Sequence, residues 1–296
     1  MNNTSNSLVS GIDPASFSAV TGPSQDLFRF VNGPWVDMYR LPDDRSRYGS
    51  FDKLAEDAEN QIRDILEEDD CPAVKSRALY HSFLDVDAID AAGLAAIEDQ
   101  LASIDEAEDK AALTRALGAM NPTGGPDLIG IAVYGDPGAP ETNVVHIEQD
   151  GLDLPDEAYY REDHYAPIRE AYVEMVAKQL KNAHLAAGDE DAHAQAKRFL
   201  DVETRIAANH WDNVSTRDSV KTYNPTDYAD LCAMLADVDL DAWIDAWQNA
   251  YDATTAAAVQ PLDFRGCFSH TIVHEPSFLT GLNAFWKEAS LDDLKL

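Results

Sequence analysis

The sequence predicts a mainly α-helical fold, a multi-helix, bundle-like domain with one small β-hairpin. Three observations carry that expectation. Apolar residues recur at steps of three and four, as along Tyr48, Phe51, Leu54, Ala55, Ala58, Ile62, Ile65 and Leu66, which is the period of a helix with one buried stripe. One stretch breaks the period: Leu128 to Tyr134 is an apolar, partly β-branched run, Gly135 to Pro140 is a turn signal, and Thr142 to Glu148 alternates, as a hairpin does. Hydrophobic residues make up 45% of the 296 residues, enough for a substantial core and too many for a disordered chain.

Residues 1–17 read as a flexible lead, and residues 18–296 as one domain, incomplete at its C-terminal end. Within Asp26 to Trp35, Asn32-Gly33 reads as a turn and Trp35 as an anchor for the first segment. Residues 47–67 form a long amphipathic helix, punctuated by Asp69-Asp70-Cys71-Pro72. Helices follow over 73–85, 88–103 and 106–119, Ala-rich with apolar stripes, as in a bundle. Residues 127–149 make the hairpin, with a long loop, as the main β element. Gly151 to Tyr160 is a loop, and a long helix then runs from Tyr165 until Gly188 ends it, as glycine ends many helices. A second long helix covers 190–211, and shorter ones 225–236 and 240–257. A strand near Thr271-Ile272-Val273 and a closing helix from Pro276 to Ala289 come next. The chain stops inside an apparent helix, Leu291 to Leu296, with no cap or stop signal.

Charge and cysteine content narrow the function classes. The chain has 54 acidic against 22 basic residues, a net charge of −32. Such a field repels nucleic acid and anionic membrane, so neither is expected as a partner. The acids are spread along the chain and read as a solvated surface. Cys71, Cys232 and Cys267 are few, odd in number and far apart, which fits a reducing compartment better than a disulfide framework. The polar start, Met1 to Ser7, lacks the basic and apolar regions of a signal peptide. A cytoplasmic location is therefore expected, and the Asn-x-Ser/Thr strings at Asn2, Asn3 and Asn213 read as chance.

Most catalytic patterns are absent. No Gly-x-Ser-x-Gly, phosphate loop or Gly-x-Gly-x-x-Gly occurs. His270 and His274 are four apart, but their segment reads as a strand, where that step spans roughly 13 Å, too far for one metal ion. His146 reads as structural. Glu203 falls inside an apolar stripe, and a buried carboxylate needs a partner; Arg205 or Arg217 is the expected one. Arg47, Phe51 and Asp52 are more suggestive. They fall within about one and a half helical turns, so all three can face one cleft, where a guanidinium can grip a carboxylate through paired hydrogen bonds. The spacing alone also fits a solvated ion pair beside a core phenylalanine.

Four separated blocks carry a family resemblance: Asp26 to Trp35, Ser46 to Asp52, Gly151 to Tyr160, and Lys221 to Pro225. In this order and at these intervals they resemble the N-terminal part of the neprilysin family of zinc metallopeptidases, from about Ile12 to the end. The resemblance implies a helical lid that encloses substrate over a catalytic domain, in a metalloendopeptidase acting on small peptides. It implies that Arg47 holds the carboxyl end of a short peptide, with Asp52 beside it and Phe51 in the pocket after the scissile bond. Ala55 stands where some animal members have a second arginine, which implies a weaker clamp. Family members run to more than twice this length and carry zinc on a helical His-Glu-x-x-His in their second half. That string is absent here; His274-Glu275-Pro276-Ser277-Phe278 has Phe in place of the second His. Zinc is thus expected in the full-length protein and none in this chain. The implied partners are the missing catalytic domain and small peptides. This chain alone is expected to be inactive, with no catalytic residue and no metal ligand of its own. The alternative is a non-catalytic peptide-binding or interaction module of the same fold.

Overall fold

The computed structural model describes residues 11–126, 128–255 and 261–296, and the chain divides into two units, Met1–Ala91 and Ala92–Leu296. Most of the expected flexible lead lies outside the described residues, as do the last two residues of the helix expected over 240–257.

The first unit is helical. Helix α1, Leu27–Met38, starts where the Asp26 side chain accepts from the Arg29 N–H, an N-cap that satisfies one of the free donors of the first turn. Asn32-Gly33, read as a turn, lies inside α1 together with Pro34. Proline has no N–H to give the carbonyl four residues earlier, and the Ser18 N–H donates to that Phe30 carbonyl instead, at 2.7 Å. The helix continues past its proline because Ser18, outside the helix, supplies the missing bond. Helix α2 is Ser50–Glu67, α3 is Val74–Leu84 and α4 is Val86–Ala92. Arg77 reaches from α3 to the carbonyls of Glu68 and Asp69, at 2.8 and 3.2 Å, which closes the C-terminal end of α2. The apolar stripe of α2 is uncovered: Phe51 is 88% exposed, Leu54 61% and Ile62 57%. Among the described residues of this unit only Gly33 and Cys71 are buried.

The second unit holds the core. Its helices are α5 (Glu98–Asp105), α6 (Lys110–Met120), α7 (Ala158–Arg161), α8 (Ala166–Asn182), α9 (Asp189–Ala207), α10 (Tyr228–Met234), α11 (Leu240–Thr254), α12 (Phe264–Cys267), α13 (Pro276–Glu288) and α14 (Leu291–Leu294). Its strands are β1 (Ile129–Asp136), β2 (Ala139–Gln149), β3 (Asn224–Asp227) and β4 (His270–Val273). They form one four-stranded sheet in the order β1-β2-β4-β3. The hairpin β1–β2 is antiparallel, β4 joins β2 in parallel, and β3 is antiparallel to β4. Ile147, Val273, Leu231, Ile244, Phe278 and Leu282 are among the fully buried members of the main cluster, in which the sheet meets α10, α11 and α13. A second cluster joins α8 to α9 through Tyr172, Val173, Val176, Ala192 and Ala196.

Four expectations are corrected here. The hairpin loop is short, because Asp136 pairs with Ala139 and leaves only Pro137-Gly138 between them. The Asp136 carboxylate accepts from the Gly138 N–H at 2.7 Å and from the Tyr223 hydroxyl at 3.0 Å, so the turn is tied to a distant loop. The helix expected over 88–103 is split into α4 and α5, and Gly93 between them takes φ +54°. Helix α8 ends near Asn182, with His184 at φ 57° and the Leu185 N–H donating to the Leu180 carbonyl, the bond pattern of a Schellman cap. Gly188 is instead the N-cap of α9. The start of the helix expected over 225–236 is strand β3, with Pro225 in it; proline is tolerated there because β3 is a sheet edge.

Candidate functional site

Arg47, Phe51 and Asp52 all lie in the first unit, around the start of α2. Gly49 is the N-cap, with extended backbone and no side-chain cap. Arg47 therefore stands in the lead-in and not on the helix, while Phe51 and Asp52 occupy the first turn. Arg47 is exposed and makes no hydrogen bond or ion pair with any described residue. The Asp52 carboxylate folds back over Gly49, 3.7 Å from where a β-carbon there would sit. An acid in the first turn also suits the helix dipole. No ion pair joins Arg47 to Asp52. The structure thus places the three on one short segment, with a free cation and an 88% exposed aromatic ring, without linking them to each other.

What sequence reasoning missed is the support beneath that segment. Trp35 stacks on Tyr39, and Tyr39 on Tyr48, each at 4.7 Å between ring centroids. The Tyr48 hydroxyl donates to Glu56 at 2.7 Å, and that carboxylate pushes the Tyr48 phenol up to about 12. Arg45 pairs with the same Glu56 at 3.1 Å and lies over the Tyr48 ring. Glu56 is therefore already engaged by Arg45 and Tyr48, while Arg47 two residues on keeps its charge unmatched. The only signal in the sequence was aromatic density around 35–48.

The histidines of the second unit meet at most in a pair. His270 faces Asp136, at 3.6 Å. His274 faces His146 at 2.9 Å through Nε2 and Glu148 at 3.5 Å through Nδ1, on opposite sides of its ring. Among the described residues no group of three or more His, Cys, Asp or Glu side chains could hold a metal ion. His274-Glu275-Pro276-Ser277-Phe278 straddles the end of β4 and the start of α13, with Pro276 in the first turn, where proline is favoured.

Glu203 is buried, 4% exposed, and the expected arginine partner is a correction. Its carboxylate accepts from the Asp153 N–H at 2.9 Å and the Tyr172 hydroxyl at 2.8 Å. Arg205 reaches Asp293 and the Phe285 ring instead. Burial pushes the Glu203 carboxyl up, with the Asp153 N–H opposing. Tyr160 accepts from the Leu154 N–H, and Asn224 donates to the Val273 carbonyl, so these residues fix loops.

The model for peptidase family M13, in its N-terminal form, matches residues 23–296. Human neprilysin is 25% identical over 298 aligned residues, covering 94% of this chain and 39% of its own length. The zinc metalloprotease Zmp1 of Mycobacterium tuberculosis, in complex with an inhibitor, superposes with a TM-score of 0.82 at 31% identity, over 98% of this chain and 43% of that one. PepO of Lactobacillus rhamnosis shares the fold, with a TM-score of 0.70 at 18% identity, over 93% of this chain and 42% of that one. The chain thus spans about two fifths of the length of these relatives. Among the described residues no helix is long and apolar enough to cross a membrane.

Proposed function

The chain belongs to peptidase family M13, the neprilysin family, and corresponds to its N-terminal part; from that premise we propose that it is the substrate-enclosing part of a zinc metalloendopeptidase that cleaves small peptides. The catalytic zinc and its ligands belong to the remainder of such a protein. This chain's share is to exclude bulk water and to anchor a peptide end. The domain so formed is residues 18–296, and its location is a reducing, cytoplasmic one, a reading that rests on three unpaired cysteines.

The observation that carries the proposal is the free, exposed Arg47 beside the exposed Phe51 on a segment stiffened by the Trp35–Tyr39–Tyr48 stack. Phe51 offers an apolar wall for a side chain, and Arg47 a charge for a terminal carboxylate. Asp52 lies on the opposite side of Gly49 in sequence and would orient the guanidinium once a ligand draws it in.

The test uses the enzyme that contains this chain. Arg47→Met is expected to lower kcat/KM for a short peptide with a free carboxyl end by roughly 10- to 150-fold, the worth of one charged hydrogen bond. The same peptide with an amidated end should lose less than about twofold, since the interaction removed is with the charge. Equal losses on both peptides, or none, would overturn the role of Arg47. For the isolated chain the expected result is no bound zinc at equilibrium dialysis and no chelator-sensitive cleavage; one tightly held zinc per chain would overturn the assignment of the metal to the rest of the protein.

A further inference from the structure

Strand β4 is held to β2 by a parallel seam that pairs Val145 with Thr271, His146 with Ile272 and Ile147 with Val273. The His274 N–H ends that seam by donating to the Ile147 carbonyl at 2.8 Å. Beside this bond lie two imidazoles, His146 Nδ1 and His274 Nε2, 2.9 Å apart. Only one proton fits between two nitrogens at that distance. Its owner follows from the neighbours. Glu148 faces His274 Nδ1 at 3.5 Å, and a carboxylate only accepts, which assigns the hydrogen to that nitrogen. His274 Nε2 is then the acceptor, and His146 Nδ1–H the donor. His146 is 4% exposed, and no described group bonds its Nε2. In this tautomer that atom is a bare lone pair, which proteins bury more readily than an unpaired N–H.

One added proton upsets the arrangement. If it lands on His274 Nε2, two N–H groups meet at hydrogen-bond distance. The conflict clears only if the Nδ1 proton of His146 is given up and a proton is held at its Nε2. The net proton gained therefore sits on His146 Nε2, buried, with no described acceptor, and a positive charge is shared in the seam. We infer that the His146–His274 pair is a proton-operated latch on the β2–β4 seam, closed while both imidazoles are neutral and released when the pair takes up one proton. This inference does not depend on the peptidase reading.

The surroundings set the direction. Burial lowers His274 below the usual histidine range, with Glu148 opposing and His146 adding. A lowered folded-state value means that the stabilisation is present above about pH 6.5 and is lost as pH falls. The other charged or titrating groups around the pair are Glu148 on β2, Glu275 after β4, Tyr134 on β1, whose ring lies 5.5 Å from His146, and the His270–Asp136 pair further along β4. Burial raises Glu275, although it accepts from the Gln149 N–H, so acid relieves Glu275 while it strains the histidines. From β3, Asn224 offers only an uncharged amide, to the His274 carbonyl.

The test is NMR of the whole chain with histidine-selective 15N labelling, together with amide exchange. At pH 7.5 His146 should show the Nδ1–H tautomer. Between pH 7.5 and 5.5 the His274 amide, corrected for intrinsic exchange, should lose protection about tenfold relative to the β1–β2 ladder, the equivalent of one proton-linked unit. The double variant His146→Phe with His274→Asn leaves no ring of the pair to titrate, so the differential loss at position 274 should fall below about twofold. Should the double variant not fold, His146→Phe alone removes the buried nitrogen that holds the net proton and should leave less than the full loss. An Nε2–H tautomer of His146 at pH 7.5, no differential loss in the wild type, or the full loss retained in either variant would overturn the latch.

Discussion

Glu203→Ala is expected to destabilise the second unit by about 3–5 kcal/mol, because it leaves a cavity and takes the acceptor from the Asp153 N–H. The Asp153 N–H donates to one carboxylate oxygen and the Tyr172 hydroxyl to the other, at 2.9 and 2.8 Å. Alanine leaves the Asp153 N–H without its acceptor. Tyr172 fares better, since the Asp153 carboxylate lies 3.0 Å from its hydroxyl. Glu203→Gln separates shape from charge. Its oxygen can still accept from Asp153, and its amide can donate to the Tyr172 oxygen while that hydroxyl turns to the Asp153 carboxylate. Burial raises the Glu203 carboxyl above its unfolded value. The folded state therefore binds the extra proton, and the stability this group contributes is full below the ordinary glutamate value and lost as pH rises through the raised one. Glutamine does not ionise. The Gln variant should thus lie within about 1 kcal/mol of the parent at pH 5 and gain on it toward pH 8. Urea unfolding of all three proteins at both pH values decides the matter. A Gln variant as damaged as the Ala one at both would mean that the negative charge itself is required.

The position of Glu203 inside an apolar stripe was legible in the sequence, but its partners were not. Asp153 is 50 residues away and Tyr172 is 31, and one of the two bonds is to backbone, which composition does not reveal. The same distinction runs through the fold. Helices α2, α3, α6, α8, α9, α11 and α13 follow from apolar periodicity, a property of local sequence. Strand β3 does not, because Asn224-Pro225-Thr226-Asp227 reads as a helix start until β4 arrives to pair with it. Helix α1 defeated its Asn-Gly-Pro turn signal through a bond from Ser18, outside the helix altogether. Around the candidate site, sequence pointed to Arg47, Phe51 and Asp52, but not to Arg45 as the residue that uses Glu56. Which of two nearby arginines is paired depends on how residues 39–49 turn between α1 and α2, and no period encodes that turn.

Gly118→Val is expected to cost about 3 kcal/mol or more through overpacking and a separated helix pair. Gly118 sits inside α6, where glycine costs about 1 kcal/mol relative to alanine. Its presence therefore calls for a reason, and the packing supplies one. A β-carbon at position 118 would lie 2.3 Å from the Trp243 carbonyl oxygen, 3.0 Å from its carbon and 3.1 Å from its α-carbon. All three are backbone atoms of α11, so no rotamer change can relieve the contact. Either α6 or α11 must shift, and α6 is tethered along its first half. The Thr114 hydroxyl donates to the Val238 carbonyl at 2.8 Å, and Lys110 donates to the carbonyls of Trp286 and Lys287 at 2.5 and 2.9 Å. A shift of α6 would also disturb Leu113, which is fully buried against Trp286. Even Gly118→Ala should destabilise, despite its better helix propensity, because the clash arises at the β-carbon. The control is Gly188→Ala. That residue is extended at φ 174° and nothing lies within 4 Å of its added carbon, so its loss should stay below about 1 kcal/mol. Thermal unfolding compares the three directly. If Gly118→Ala were as well tolerated as Gly188→Ala, the close approach of α6 and α11 would not be what selects glycine there, and helix propensity would decide the outcome instead.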